Sequence, residues 1–155
     1  MTTVLTYGTF DLFHIGHLRL LQRLSALGST LVVGVSTDGF NATKGKHTVV
    51  PYADRAAIVA GIRGVDEVIP EHSWDQKPDD IQKHGVGLFV MGSDWEGKFD
   101  DLAALCEVRY LPRTEGVSST EIKSMLRTLD PTHIRALQDS VSTLSAILSH
   151  YGDLK

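Results

Sequence analysis

Short apolar runs alternate along the chain with segments in which apolar residues recur every three or four positions. Most of the runs are too short for helices and rich in β-branched residues, which is typical of buried strands in a parallel sheet. They predict five strands, at residues 4–7, 30–36, 66–70, 88–91 and 108–111. The periodic segments predict helices at about residues 17–27, 52–62 and 79–84, and another around Ile122. This alternation indicates an α/β fold, a Rossmann-like doubly wound parallel sheet of about five strands.

The ends of the predicted strands carry small or polar residues. Gly8, Ser36, Gly92 and Arg113 stand at or just after four of these ends, and the polar segment 37–48 after the second strand is predicted to be a loop. Because ligands of doubly wound sheets bind beyond the carboxyl ends of the strands, we expect the site at this edge.

A further amphipathic pattern follows the sheet-forming part. From Asp130 onward, apolar residues alternate at three- and four-residue spacing, at Ile134, Leu137, Val141, Leu144, Leu148 and Tyr151. The pattern predicts a C-terminal amphipathic helix, and we divide the chain into a domain at 1–129 and a helical extension at 130–155. The narrow apolar stripe suits packing either on the helix's own domain or against a partner helix.

Length and charge narrow the functional class. A chain of 155 residues suits one domain with a sizeable core, and its net charge of −4 argues against a nucleic-acid coat or a polybasic membrane binder. The sequence has no apolar stretch near the ~20 residues of a membrane span and no secretory signal, so we expect a cytoplasmic protein without membrane insertion. The single cysteine, Cys106, cannot form an intrachain disulfide, which fits a reducing compartment.

Two histidines stand at the first strand–helix junction. His14 and His17 are three residues apart and share one face of a helical turn, and Gly16 between them leaves room for a close backbone or phosphate. Two imidazoles at a helix amino end suit a ligand that becomes more negative as it reacts. A zinc site would need three or four ligands, and the sequence adds no cysteine pair, so no dedicated metal site is predicted. Asp11 could cap the helix, orient a histidine or help to hold a divalent ion.

Basic and hydroxyl side chains recur near the same edge. Lys44 and Lys46 lie in the loop after the second strand, and Arg113 follows the fifth. The guanidinium fork of Arg113 suits phosphate, and the hydroxyls of Ser118, Ser119 and Thr120 stand where a helix starts. Those hydroxyls could cap the helix, form an anion site, or do both.

Two motifs carry a family resemblance over residues 3 to about 127. G-T-F-D-L-F-H-I-G-H at 8–17 and R-T-E-G-V-S-S-T-E-I at 113–122 resemble signatures of the H-x-G-H nucleotidyltransferase superfamily, and within it of the cytidylyltransferase family. The stretches 63–71 and 91–100 also resemble that family's pattern. The resemblance implies transfer of a cytidylyl group from CTP to sn-glycerol 3-phosphate without a covalent enzyme intermediate, giving CDP-glycerol and pyrophosphate. It also implies Mg²⁺ with the CTP and a homodimer.

The resemblance assigns roles residue by residue. It implies catalytic roles for His14, His17, Lys46 and Arg113. It implies nucleotide contacts by those four residues and by Thr9, Phe10, Thr114, Glu115, Gly116, Val117, Ser118, Ser119 and Thr120. For the acceptor phosphate it implies Lys44 and Lys77, to which we add Asp11, Arg63 and Asp94 as candidates.

Two other functions remain open at this point. The enzyme could use another nucleotide, such as ATP, or another polyol phosphate. The fold could also serve as a non-catalytic nucleotide sensor, since fold does not determine function. The intact histidines, lysines and arginine favour the enzyme.

Overall fold

The computed structural model describes residues 1–116, 118–127 and 131–152. Its strands are β1 (Thr3–Gly8), β2 (Thr30–Ser36), β3 (Glu67–Glu71), β4 (Val86–Gly92) and β5 (Glu107–Leu111). Its helices are α1 (Ile15–Ser25), α2 (Asp38–Thr43), α3 (Tyr52–Ala60), α4 (Lys77–Lys83), α5 (Ser119–Arg127) and α6 (Pro131–Gly152). Short 3₁₀ turns cover Ser93–Trp95 and Asp100–Ala104.

The described strands form one parallel sheet in the order β3-β2-β1-β4-β5. The chain therefore winds outward from β1 in one direction and then in the other, which confirms the predicted doubly wound α/β fold. All strand carboxyl ends point to the same edge, so the segments after β1, β2, β3, β4 and β5 meet there.

Alternation along the central strands builds a separate apolar core on each face of the sheet. Val4 and Val33 pack with Leu21 and Leu24 of α1 on one face. Leu5 and its neighbours, among them Val32, Phe89 and Ile81 of α4, form the core of the other face. Because successive strand side chains point to opposite faces, a continuous apolar run such as Val4–Leu5 supplies both cores.

One glycine makes room for an aromatic ring inside the second core. A Cβ on Gly34 of β2 would lie 2.1 Å from the ring of Tyr7 on β1, so only glycine leaves room for that ring against the neighbouring strand. The Tyr7 hydroxyl then donates a 2.6 Å hydrogen bond to Asp80 of α4. Burial raises the pKa of Tyr7, and the Asp80 carboxylate adds to the shift, so the hydroxyl stays a proton donor.

The segment after β2 differs from its prediction. Residues 37–48, predicted to be a loop, contain the short helix α2, which begins because the Thr37 hydroxyl accepts a hydrogen bond from the Phe40 N–H. Phe40 and Asn41 on this helix are buried. A polar composition hides the helix because only one of its side chains in six is a large apolar one.

A buried arginine holds the strand ends together. Arg55 of α3 is 1% exposed and donates to the carbonyls of Thr9 at 2.6 Å, Ser36 at 2.9 Å and Val50 at 2.8 Å. It also pairs with the Asp38 carboxylate at 2.7 Å. One guanidinium thus joins the segments after β1 and β2 to the segment before α3.

The described chain divides into two compact units. The first, Met1–Ser119, contains the sheet, and the second, Thr120–Lys155, contains α6 and all of α5 except its first residue. Helix α6 confirms the predicted C-terminal amphipathic helix, although Asp130 lies outside the described residues. The division at 129/130 stays a prediction. Among the described residues, no helix is long and apolar enough to cross a membrane.

We predict that Arg55→Met lowers the free energy of unfolding by about 3 kcal/mol, because buried carbonyls lose their donors. Most of that loss should come from the carbonyls, since Asp38 is half exposed. Chemical denaturation measures the change. The matched control is Arg63→Met at an exposed site, which should change stability by at most about 0.5 kcal/mol. Equal effects of the two substitutions would contradict the role given to Arg55.

Candidate functional site

A cleft opens at the carboxyl edge of the sheet. Gly8, Ser36, Glu71 and Met91, at the ends of β1 to β4, line it. Trp74 and Trp95 also line it, with ring centroids 5.3 Å apart, and Lys44 and Lys46 enter from the segment after α2. The predicted position of the site is therefore occupied by a cleft with two lysines and two indoles.

The loop between β1 and α1 is held in an unusual backbone conformation. Phe10 and Leu12 adopt positive φ values of 54° and 48°, which non-glycine residues rarely do. The Asp11 carboxylate stabilises the loop by accepting hydrogen bonds from the N–H groups of Leu12, Val49 and Val50. Asp11 is 3% exposed, so its side chain positions backbone. The structure thus argues against a direct acceptor contact by Asp11.

The two histidines cap α1 themselves. The Gly16 N–H donates to Nδ1 of His14 at 3.0 Å, and the His14 N–H donates to Nδ1 of His17 at 3.3 Å. His14 is the N-cap residue, so the alternative in which Asp11 caps the helix is wrong. Because each Nδ1 accepts a backbone hydrogen bond, the proton of each neutral imidazole must sit on Nε2. Both rings therefore present an Nε2–H donor, and they stack with centroids 3.9 Å apart.

Burial keeps this pair uncharged. Desolvation lowers the pKa of His17 to about 4, with a further lowering by His14 and an opposing effect of Asp11. Desolvation also lowers the pKa of His14. Near neutral pH the pair therefore offers two neutral donors. Since an unfolded histidine titrates near 6.5, the stability from the neutral pair is complete above that pH and declines as the pH falls toward about 4.

A chain of charged groups lies at the ends of β2 and β3. Nζ of Lys44 lies 3.3 Å from the Ser36 hydroxyl, which donates to Glu71, and the other Glu71 oxygen accepts from Lys77 at 2.7 Å. Burial is the main cause of the lowered pKa of Lys44, and the positive charges of Lys46, Lys77 and Arg55 add to it. An anion bound here would stabilise the charged lysine.

Aromatic rings enclose the lysines. Nζ of Lys77, a residue only 1% exposed, lies 4.4 Å from the ring centroid of Tyr7 and 4.8 Å from that of Trp74. Nζ of Lys44 lies 4.1 Å from the Phe40 ring centroid. Ring faces favour a nearby cation and limit its hydration. Lys77 lies beneath the cleft, paired with Glu71.

One hydrogen bond joins the second motif to the first, and another joins the residue before the second motif to α1. The Ser119 hydroxyl donates to the Asp11 carbonyl at 2.8 Å, and the Arg23 guanidinium of α1 donates to the Pro112 carbonyl at 3.0 Å. Arg113 follows β5 and pairs with Asp94 at 3.2 Å, both side chains being largely exposed. Ser119 is thereby placed beside the histidine loop, and Pro112 beside the later part of α1.

The predicted residues divide into three groups. The edge of the sheet brings together Thr9, Phe10, Asp11, His14, His17, Lys44, Lys46, Lys77, Asp94, Arg113 and Ser119. Thr114 lies beside Arg19, Gln22 and Arg23 of α1, and the nucleotide contacts of Glu115, Gly116 and Ser118 stay predictions. Val117 lies outside the described residues, and Thr120 belongs to the second unit.

Arg63 is placed elsewhere. It precedes β3, next to Gly64, which faces Ser25 at the end of α1, and Asp66, which accepts from the Leu31 N–H at the start of β2. Those contacts lie at the amino edge of the sheet, away from the cleft of the same chain, and the acceptor role of Arg63 stays a prediction.

Several positioning residues were missed by the sequence reasoning. Arg55 binds the strand ends, and Glu71 binds Lys77. The Asn41 side-chain oxygen accepts a hydrogen bond from the Thr9 hydroxyl at 3.1 Å. Arg23 was read only as part of a helix. A buried arginine or glutamate has no local pattern of its own, so only the fold reveals these roles.

No group of three or more His, Cys, Asp or Glu side chains in the described parts of the chain could hold a metal ion. The acidic side chains of this edge already bind other groups. Asp11 accepts hydrogen bonds from backbone N–H groups, Glu71 pairs with Lys77, and Asp94 pairs with Arg113. Such a donor set fits Mg²⁺ only as an ion that is bound chiefly by a nucleotide and by water.

Comparison with known proteins agrees with this geometry. The family model described as Cytidylyltransferase-like matches residues 5–125. Glycerol-3-phosphate cytidylyltransferase of Bacillus subtilis is 58% identical over 79% of this chain and 95% of its own length. The enzyme of the same name from Staphylococcus aureus is 52% identical over 81% and 96%.

A solved structure shares the fold. The lipopolysaccharide core biosynthesis protein of Thermoplasma volcanium superposes with a TM-score of 0.64 at 23% identity, over 74% of this chain and 99% of that one. At that identity the similarity supports the fold alone.

We predict that His17→Asn lowers kcat by about 10²- to 10⁴-fold, as His17→Ala does, because both lose the Nε2–H donor. The Asn carbonyl oxygen can still accept the His14 N–H, so His17→Asn should keep near wild-type stability, whereas His17→Ala should lose about 1 kcal/mol. Turnover and denaturation of both variants measure this. Near-normal turnover of His17→Asn would show that the histidine acts only as a cap.

Proposed function

Because the chain belongs to the cytidylyltransferase-like family, we propose that it transfers the cytidylyl group of CTP to sn-glycerol 3-phosphate, releasing CDP-glycerol and pyrophosphate. The observation that carries the proposal is the pair of Nε2–H donors at the sheet edge that also carries two lysines. The identity of 52–58% with relatives named for this reaction supports the choice of nucleotide and acceptor.

The reaction needs positioning and charge stabilisation more than proton transfer. An oxygen of the acceptor phosphate attacks the α-phosphorus of CTP, and the bond from that phosphorus to the β-phosphate oxygen breaks. A phosphate is already ionised at neutral pH, so no general base is required. Negative charge grows on the non-bridging α-phosphate oxygens, where donors from His14 and His17 stabilise it.

Other residues of the edge hold the two substrates. Lys44 receives the acceptor phosphate, and the ring faces of Trp74 and Phe40 limit the hydration of the Lys44 ammonium group. The Lys77–Glu71 pair lies behind Lys44. Lys46 and Arg113 hold the triphosphate of the nucleotide, and the hydroxyl-bearing segment after Gly116 contacts it further. Asp94 orients the Arg113 guanidinium.

Mg²⁺ is proposed to enter with CTP. It would neutralise part of the triphosphate charge and assist the departure of pyrophosphate, while retaining several waters. Lys46 and Arg113 would neutralise the remaining triphosphate charge beside the ion.

We also propose that the protein works as a cytoplasmic homodimer. The family resemblance supports the dimer, and exposed apolar side chains on the first unit, Ile15, Val49 and Ile58, offer it a surface. The single cysteine fits a reducing compartment.

We expect pyrophosphate release when the protein is mixed with CTP, Mg²⁺ and glycerol 3-phosphate. A coupled phosphate assay run across nucleotides and polyol phosphates measures it. Faster release with ATP or another polyol phosphate would identify that compound as the substrate. Nucleotide binding without pyrophosphate release from any pair of substrates would indicate a non-catalytic nucleotide sensor.

We predict that Lys44→Ala raises KM for glycerol 3-phosphate more than KM for CTP, because the proposal assigns Lys44 to the acceptor phosphate. The matched variant, Lys46→Ala, should raise KM for CTP more. Initial rates with each substrate varied in turn separate the two. The opposite pattern would exchange the two assignments.

A further inference from the structure

Three large apolar side chains of helix α6 are exposed. Ile134, Val141 and Leu144 are 43%, 62% and 59% exposed, although they are large apolar side chains. The family model ends at residue 125, before this helix begins, so the stripe does not belong to the matched catalytic part. Such a surface on a 22-residue helix calls for an occupant.

The order of residue types along the stripe selects that occupant. In heptad notation, Ile134, Val141 and Leu148 take position a, and Leu137, Leu144 and Tyr151 take position d. β-Branched residues at a with leucine at d favour a parallel, two-stranded coiled coil, and the first two heptads of the helix have this pattern. All six positions fall within about 100° of arc on a helix with 3.6 residues per turn, which is the narrow seam of such a coil.

The charge of the helix permits pairing of two copies and argues against binding to an anionic membrane. Residues 131–152 contain one arginine, Arg135, and one aspartate, Asp139, so the helix has no net charge. Two copies therefore do not repel each other. An anionic membrane surface would select a polar face rich in lysine and arginine, whereas this helix contains one arginine and no lysine.

We propose that α6 pairs with α6 of a second copy of this chain, forming a parallel two-stranded coiled coil of about three heptads. At 22 residues the helix is about 33 Å long, which makes the isolated pair marginal. Linkage to a dimeric catalytic part would raise the effective concentration of the two helices and so stabilise the coil. The interface is isologous, as a twofold dimer requires.

The first test compares self-association of full-length variants by sedimentation and mass photometry. Val141→Asp places a charge in the seam and should weaken self-association on the order of 100-fold. The adjacent Ser142→Asp places the same charge at the exposed position b and should change it less than about threefold. Near-ultraviolet circular dichroism of Trp74 and Trp95 verifies that the first unit stays folded in both. Equal affinities of the two variants would overturn the proposal.

A second test reports the geometry of the pair directly. In a Cys106→Ser background, Ile134→Cys should oxidise readily to a covalent dimer, because parallel a positions bring the Cα atoms within disulfide distance. Arg135→Cys, one position along, should not. Cross-linking by Leu144→Cys without cross-linking by Ile134→Cys would indicate antiparallel helices and reject the parallel coil.

Two other occupants would give distinct results. If Val141→Asp lowers the unfolding midpoint of the first unit without changing self-association, the helix packs on its own chain. If it abolishes co-sedimentation of the protein with phosphatidylglycerol vesicles, again without changing self-association, the stripe binds lipid. Either result overturns the proposal.

Discussion

The buried guanidinium of Arg55 is the interaction on which the carboxyl edge of the sheet depends. It satisfies backbone carbonyls from three separate segments, and each of them borders the cleft or supports the loop that does. Thr9 leads into the histidine loop, Ser36 supports Lys44, and Val50 adjoins the backbone that Asp11 holds. The catalytic geometry is therefore set by a side chain that need not touch a substrate. This is economical, because one rigid, permanently charged group replaces several flexible contacts.

A second constraint is electrostatic. The chain as a whole is acidic, so the attraction of phosphate must be local, and the structure concentrates Lys44, Lys46 and Lys77 at one edge. Glu71 reduces the repulsion among the lysines, since it pairs with Lys77 directly and is linked to Lys44 by the Ser36 hydroxyl. The aromatic rings of Phe40, Trp74 and Tyr7 provide faces for the ammonium groups. Bound phosphates would complete a set of charges that is assembled before they arrive.

The fold was predictable because its signal is repeated along the chain. Runs such as Val4–Tyr7 are continuous and apolar, and their alternation with helices leaves few topologies. The histidine pair and Arg113 were predictable from their motifs. Arg55, Glu71 and Arg23 were not, because their roles consist of contacts with segments up to 89 residues away. The sequence also could not tell at which edge of the sheet Arg63 lies, because a charged residue next to a strand carries no such signal. The motif also drew attention to Asp11, but in the structure its carboxylate accepts hydrogen bonds from backbone N–H groups.

The histidine cap has a consequence for how the H-x-G-H signature is interpreted. The same two rings end the loop, start α1 and leave their Nε2–H donors outside the cap. Loss of either ring removes a structural hydrogen bond together with a chemical group. A relative that had abandoned catalysis would still need an acceptor for the cap, but asparagine could supply it where His17 does here. Retention of both imidazoles in a distant homologue therefore points to their Nε2–H donors, whereas replacement by another capping residue would keep the shape of the loop without that chemistry.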